Sequence, residues 1–405
     1  MQLGIGVILG YAYFLDGNFP KASETFHATI ESGSASNAVS ATVGACGLLA
    51  RLYGVEGRLQ DAFDLLQDAG QMATRAGEQY PGAEAVVEVN IGSILYEWND
   101  LKAALEHLER GLRSITLWGK GDLLALAYVI LCCIQHANGD RNATVDTVQK
   151  AVDLIHTRGV FPEVRGAVEA AQVKLWLAQG DIQAANHWTS ALEKRFGSHD
   201  PFRFENELAH ITQARVFIAQ NKPNKAIGLL SHLEETARSA GRMGRVIEIL
   251  LLEALALQEM SDSEHAILAL TKCLTLAEPE GYVRVFLDEG QPMQLLLAQW
   301  LARAGSSPLR DYAIHLLSQF DAEPRTNPAA QEKASPTGNL VEPLSQRELE
   351  VLHLMALGRT NKEIAQQLII SLGTVKAHTA GIFRKLDVAN RTEAVAHARQ
   401  LGILP

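Results

Sequence analysis

Before Glu278 the chain alternates long apolar-rich runs with short polar turns at a nearly fixed period. Each unit ends one run at a Gly or small polar residue, and a small residue follows five positions later inside the next run. Gly17 is followed by Ala22, Gly57 by Ala62, Asn99 by Ala104 and Gly180 by Ala185. Asn221 with Ala226 and Ser261 with Ala266 extend the series, and Gly139 fits with Thr144 in the alanine place. Successive turn positions lie 40 to 42 residues apart. That period predicts a solenoid of helical hairpins, in which the turn residue ends one helix and the small residue lets the next pack close against it. Seven hairpins are enough to bury a continuous core. The first helix, Leu3 to Leu15, is apolar on almost every face. A helix of that kind belongs in a buried position. Residues 1–15 are therefore expected to be covered by further chain, a partner or a second copy, or else to fray before the other repeats.

From Pro279 the period breaks. Leu295 to Leu301 and Tyr312 to Phe320 read as closing helices, and residues 321–343 carry Pro324, Pro328, Pro336 and Pro343 without an aromatic residue. Such a composition predicts a flexible linker. Residues 344–405 then return to helices, short and capped. Ser345 with Glu348 opens a helix to Leu357, and Thr360 with Glu363 forms a capping box for a second that runs to Leu368. Ser371 caps Leu372 to Leu386, and Asn390 with Glu393 opens a fourth that ends at Gly402. Four capped helices with a tight turn between the middle pair predict a helix-turn-helix domain. On a helical wheel Val375, Thr379, Ile382 and Leu386 form the core face of the third helix. Gly373, Lys376, Ala377, Ala380 and Arg384 lie on or beside the opposite face, small and basic enough to enter a major groove. Asn361 and Lys362 start the preceding helix, where backbone donors and a cation suit a phosphate.

The resulting fold class is all-α, with a helical-repeat domain over 1–320, a linker over 321–343 and a helix-turn-helix domain over 344–405. Five blocks of the last domain, Leu344–Leu352, Asn361–Ala365, Thr374–His378, Lys385–Leu386 and Arg391–Val395, stand in the order and spacing of a LuxR-type DNA-binding domain, which they resemble throughout. The resemblance implies contact with double-stranded DNA through Asn361, Lys362, Thr374, Val375, Lys376, Ala377, His378, Ala380, Arg384 and Lys385. Val375 is thus placed on the core face by the pattern and among the DNA contacts by the resemblance. The family often has a larger polar residue at Ala380 and an Asn at Gly381, so a base contact is missing, and the glycine costs about 1 kcal/mol relative to alanine. Pairing through the last helix is also implied, with Val395 and Arg399 on the face that would meet a second copy.

The repeat region resembles a tetratricopeptide array of unusually long period, with HEAT-type repeats as the competing label. Two stretches, Leu95–Leu101 and Ala277–Gly290, narrow this to the superhelical domain of the MalT-like group of large ATP-dependent LuxR-type regulators. That group carries an N-terminal nucleotide-binding module. This sequence has no G-x-x-x-x-G-K-[ST], so the resemblance covers the C-terminal portion and no cofactor is expected for the chain. The group would place a small-molecule or protein effector on the concave face of the repeats, where a few of Trp98, Trp118, Trp176 and Trp188 could contribute, although core packing is the commoner role for each.

Charge sharpens this division. The net charge of −10 is uneven: residues 344–405 hold eight Lys or Arg against five Asp or Glu, leaving 28 basic and 41 acidic residues upstream. An acidic body with a basic tail suits a nucleic-acid-binding tail. Cys46, Cys132, Cys133 and Cys273 have no metal-ligand spacing and read as buried thiols in a reducing compartment. No run is long and apolar enough for a membrane span, and Leu3–Leu15 lacks the flanks of a signal peptide, so no membrane partner and a cytoplasmic location are expected. The 13 His form neither H-E-x-x-H nor H-x-x-E-H, no G-x-S-x-G occurs, and neither a catalytic nor a metal site is assigned. The expectation is a DNA-binding transcription regulator, dimeric on DNA and a possible partner of RNA polymerase. The rival is a repeat-based protein-binding adaptor whose tail no longer reads DNA.

Overall fold

The computed structural model describes residues 2–76, 81–118, 121–196 and 203–322, and from the C-terminal part 351–352, 354–356, 359–367, 375, 379, 382, 388 and 391–400. Contacts divide the chain into two compact units, Met1–Pro324 and Arg325–Pro405. The first unit contains the seven expected hairpins: α1 (Gln2–Leu15) with α2 (Phe19–Ala35), α3 (Val39–Glu56) with α4 (Leu59–Ala76), α5 (Pro81–Glu97) with α6 (Leu101–Trp118), and α7 (Gly121–Ala137) with α8 (Arg141–Thr157). They continue as α9 (Pro162–Ala178) with α10 (Ile182–Phe196), α11 (Phe204–Ala219) with α12 (Pro223–Ser239), and α13 (Met243–Glu259) with α14 (Ser263–Ala277).

One backbone device makes every hairpin. At the seven turn positions φ is positive: 78° at Gly17, 82° at Gly57, 64° at Asn99, 78° at Gly139, 75° at Gly180, 56° at Asn221 and 62° at Ser261. The N–H of each turn residue bonds the carbonyl three residues back, and the next N–H bonds five back, as from Gly17 to Phe14 and Asn18 to Tyr13. This double closure satisfies carbonyls that the helix end would leave unpaired. The residue after the turn then starts the next helix. Asn18, Asp100, Asp140, Asp181 and Asp262 accept from the N–H of Lys21, Ala103, Ala143, Ala184 and His265. A two-residue unit therefore stops one helix and caps its successor. The small residues five positions on are buried at all seven sites, and Thr144 returns its hydroxyl to the Asp140 carbonyl.

The odd-numbered helices pack on one another in sequence as an inner layer, α1 on α3 through to α11 on α13. Among them α3, α11 and α13 are buried on most sides; α13 alone buries Val246, Ile247, Ile249, Leu250, Leu251, Leu252, Ala254, Leu255 and Ala256. The even helices bury only a stripe, as α12 does with Ala226, Leu230, Leu233 and Ala237. After α14 come a 3-10 turn (Glu278–Glu280), α15 (Arg284–Leu287), α16 (Gln291–Arg303) and α17 (Arg310–Ala322). The last two helices exceed the stretches read from sequence, and α17 occupies the first two positions assigned to the linker. Residues 323–343 lie outside the described residues.

Repeats far apart in sequence also touch, which a simple solenoid does not require. One apolar core joins α1 through α5 to α11 through α17. Phe14 and Phe19 meet Phe204 edge-on at 5.1 and 5.0 Å, and Tyr11 meets Phe161 at 4.8 Å. The Gly57 turn lies against Met243 and Gly244. The C-terminal half of α1 is thus held from across the superhelix as well as by its neighbouring helices. Its other end leaves Ile5 and Ile8 57% and 71% exposed.

The inner layer also holds paired charges. Arg215 reaches Glu248 at 3.0 Å and Glu289 at 2.8 Å, Arg242 reaches Glu207 at 2.6 Å, and Arg51 reaches Glu163 at 2.7 Å. Burial alone would raise the Glu248 carboxyl, but the Arg215 and Arg245 guanidinium groups hold it at about 2. Trp188 donates to Glu169 and Trp98 to the Glu280 carbonyl, while Trp176 packs into the core between α9 and α11. Trp188 is buried, while Trp98 and Trp176 keep part of their surface accessible. The Trp118 side chain lies outside the described residues. Cys46, Cys132 and Cys273 are buried free thiols and Cys133 is half-buried. Among the described residues no helix is long and apolar enough to cross a membrane, and no cluster of metal-ligating side chains occurs.

Candidate nucleic-acid interface

The C-terminal unit begins, among its described residues, with a helical segment at 351–356 that buries Val351, Leu352, Leu354 and Met355. Thr360 then caps α18 (Asn361–Gln367) by the reciprocal bonds that the sequence predicts. The Glu363 N–H donates to Thr360 Oγ1 at 3.3 Å, and the Thr360 N–H donates to Glu363 Oε2 at 2.7 Å. The Thr360 N–H, helped by its hydroxyl, holds the exposed Glu363 carboxyl below the ordinary carboxylate range. The cap fixes where α18 begins, and so fixes Asn361 and Lys362 in its first turn. Asn361 is half-exposed and Lys362 exposed, as a phosphate contact requires.

Behind them, Ile364, Val375, Ile382, Ala394 and Ala398 close one core with the 351–356 segment. Positions 375, 379 and 382 are helical, and their spacing puts them on one face. Val375 and Ile382 are completely buried, and the half-buried Thr379 returns its hydroxyl to the Val375 carbonyl at 2.8 Å. This corrects the placing of Val375 among DNA contacts. A side chain with no accessible surface cannot touch a base edge; Val375 orients the helix from behind.

Thr374, Lys376, Ala377, His378, Ala380, Arg384 and Lys385 lie outside the described residues, as do the Ser345 and Ser371 caps. Val395, assigned to a dimer face, is half-buried against the unit's own core, which leaves part of it for a partner. Arg399 falls in α19 (Arg391–Gln400), and its side chain is outside the described residues.

Sequence reasoning gave Arg391 no role. Its Nη2 donates to the carbonyls of Met355 at 2.8 Å and Arg359 at 2.7 Å, pinning the start of α19 to the end of the first helical segment. Its place in the sequence hints only that it does not serve its own helix, and nothing there marks its partners. A cation at a helix N-terminus opposes the helix dipole, so its use lies elsewhere, here on carbonyls that another helix end leaves free.

The first unit holds a cleft of about 380 Å³ lined in part by Pro162, Arg165, Arg195, Phe196, Glu205 and Asn206.

These two architectures match known families in the same order. Residues 1–303 match the MalT-like TPR region, and residues 342–398 match the luxR family of bacterial regulatory proteins. Similar proteins include the HTH-type transcriptional regulator MalT of Klebsiella pneumoniae subsp. pneumoniae, 28% identical over 362 residues, covering 85% of this chain and 39% of that protein. The HTH-type transcriptional regulator MalT of Serratia proteamaculans is 27% identical over 361 residues, with 85% and 39% covered. The chain therefore spans well under half the length of these curated relatives. It belongs to the MalT-like TPR family and ends in a DNA-binding domain of the luxR family of bacterial regulatory proteins.

Proposed function

We propose that this chain acts as a transcription regulator, reading DNA through its C-terminal unit and using its helical repeats as sensor or scaffold. The observation that carries the reading is the single core joining Ile364, Val375 and Ile382, which sets α18 against the following helical positions and leaves Lys362 in solvent. Its action is binding, with no bond made or broken, and it calls for no cofactor within the chain. Lys376 supplies the direct base contact and Ala377 and Ala380 at most meet a thymine methyl. Asn361, Lys362, Thr374, Arg384 and Lys385 anchor phosphates, and His378 joins the contacts on the family resemblance alone. The regulator works in the cytoplasm, pairs weakly through α19 and binds an inverted repeat with half-sites about one helical turn apart. RNA polymerase is a natural partner for a regulator so placed, and the cleft beside Arg165 and Arg195 is a candidate seat for an effector.

A gel-shift titration across salt tests this. Specific binding shows a steep salt slope and survives nonspecific competitor. Lys362→Ala is expected to lower that slope by about one unit without changing the preferred sequence. A repeat-based adaptor would show neither the steep slope nor resistance to competitor.

A further inference from the structure

The cleft between the fifth and sixth hairpins is built from two helix starts and one helix end. On α9 its wall is Pro162, Arg165 and Gly166, spaced three and four residues apart as one helix face requires. On α11 it is Glu205 and Asn206, and Phe196 closes it from the end of α10. The other faces of these turns are held elsewhere. Phe161 meets the Tyr11 ring edge-on, Glu163 pairs with Arg51, and Phe204 packs on Phe14 and Phe19. The walls are therefore in place before any ligand arrives, as is usual for small-molecule sites. Gly166 marks the depth of the space. It is buried inside α9, yet a Cβ added to it would meet no atom within 4 Å. Of the glycines with such open space, among the described residues, Gly166 alone is buried. A close-packed interior leaves no gap of that kind beside a buried residue, so the gap belongs to the cleft.

The charges around this space leave one cation over. Arg195 is held by the Glu169 carboxylate at 3.0 and 3.2 Å, and Glu205 lies 3.6 Å from Arg203. Among the described residues Arg165 has no carboxylate within ion-pair distance. Its guanidinium reaches only the Ile155 carbonyl, at 3.5 Å. Arg165 also stands near the start of α9, where the helix dipole favours negative charge and a cation does nothing for its own helix.

We propose that this cleft binds a small organic monocarboxylate, its carboxylate on Arg165 and its apolar body over Gly166 against Phe196 and Pro162. The inference rests on the reading of the repeats as a sensor and gives that sensor a ligand class. The guanidinium fork matches a carboxylate with two parallel bonds, and the Asn206 amide lines the same space as a further donor. One unbalanced cation calls for one negative charge. A dianion such as a phosphate monoester would bring a second, unmatched charge beside Glu205, whereas a neutral molecule would leave Arg165 unpaired. The volume of about 380 Å³ lies in the range of small-molecule sites.

Ligand-observed NMR on the full chain tests the cleft, with benzoate, phenylacetate, hexanoate and octanoate as probes. The primary amide of each is its neutral match, and phenyl phosphate is the dianion. At least one carboxylate is expected to bind with a dissociation constant of about 1 mM or tighter, and its amide about tenfold more weakly or worse. Arg165→Gln is expected to weaken the carboxylate by about tenfold or more. Gly166→Leu fills the open space without a clash at Cβ and is expected to abolish binding. The bound probe is expected to slow hydrogen exchange in residues 160–166 and 204–209. The proposal is overturned if no carboxylate binds at about 5 mM, if an amide or phenyl phosphate binds as well as the best carboxylate, or if binding survives both variants. Binding that leaves exchange in both segments unchanged would also overturn it. Should Gly166→Leu not fold, Arg165→Gln, a change to a half-buried side chain, decides. A gel shift of the same chain without probe reads the C-terminal unit independently. Carboxylate binding without DNA binding would sink the regulator and keep the cleft; DNA binding without carboxylate binding would sink the cleft alone.

Discussion

Replacing Val375 by alanine separates two roles that the sequence leaves superposed. Its side chain has no accessible surface and lies among Ile364, Ile382, Ala394 and Ala398. The substitution removes two methyl groups, worth about 1.6 kcal/mol of transfer free energy, and the cavity left behind brings the cost to about 2–3 kcal/mol. In a unit of this size, 1 kcal/mol moves the midpoint by about 4–8 °C. The C-terminal unit is therefore expected to melt on the order of 10 °C earlier, followed in the full chain by hydrogen exchange in α18 and α19. The Thr379 hydroxyl keeps its bond, because its acceptor is the residue 375 carbonyl. DNA affinity, measured well below the new midpoint, is expected to stay within about twofold of wild type, since a buried side chain contributes only by holding the helix in place. A base contact would behave in the opposite way, with an unchanged midpoint and a loss of about 1–3 kcal/mol confined to one base position. That second pattern would refute the core assignment.

Arg391→Ala removes two charge-assisted bonds and frees the Met355 and Arg359 carbonyls. It is expected to destabilise the C-terminal unit by about 2–3 kcal/mol in a denaturant titration, whereas a loss under 0.5 kcal/mol would show that the pin is idle. Ser261 holds φ at 62°, where glycine is unstrained, so Ser261→Gly is expected to stabilise the last hairpin by about 0.5–1 kcal/mol in the same assay. Glu248 is depressed to about 2 from 4.5, so its contribution is present above about pH 4.5 and fades as pH falls toward 2. Glu248→Gln is accordingly expected to cost on the order of 3 kcal/mol near neutrality and progressively less in acid; a cost independent of pH would rule out the Arg215 pairing as its source.

Most of the local structure was legible because each hairpin reports itself twice. A left-handed turn admits few residue types, and a close helix approach admits few others, so Gly57 with Ala62 or Asn221 with Ala226 constrain one another at a fixed offset. The capping box at Thr360 and Glu363 was legible for the same reason, since both partners lie three residues apart. Arg391 was not, because its partners are backbone carbonyls 36 and 32 residues away and carry no side-chain signature. Helix lengths after Pro279 were underestimated because nothing repeats there to set a register. The buried ion pairs went unread too. A glutamate such as Glu207 is 1% exposed, yet in sequence it resembles any solvated charge on a helix.

The closure of the repeats poses a different problem. A period fixes the step from one hairpin to its neighbour, while contact between the second and seventh hairpins depends on the sum of many small rotations. Only residues at the contact register that sum. Gly57 needs glycine twice over: its φ of 82° excludes most side chains, and a Cβ there would lie 2.9 Å from the Gly244 nitrogen. Gly244 has an ordinary helical backbone, and a Cβ on it would press on the Gly54 carbonyl. Gly54, Gly166 and Gly228 also lie inside helices but have open space around them, so the close approach belongs to Gly244 in particular. Gly244 sits where the superhelix returns upon itself, but no glycine count in the sequence marks it out, and the same return that brings α13 back to α3 brings the segment after α14 within reach of Tyr96, Glu97 and Trp98 at the end of α5.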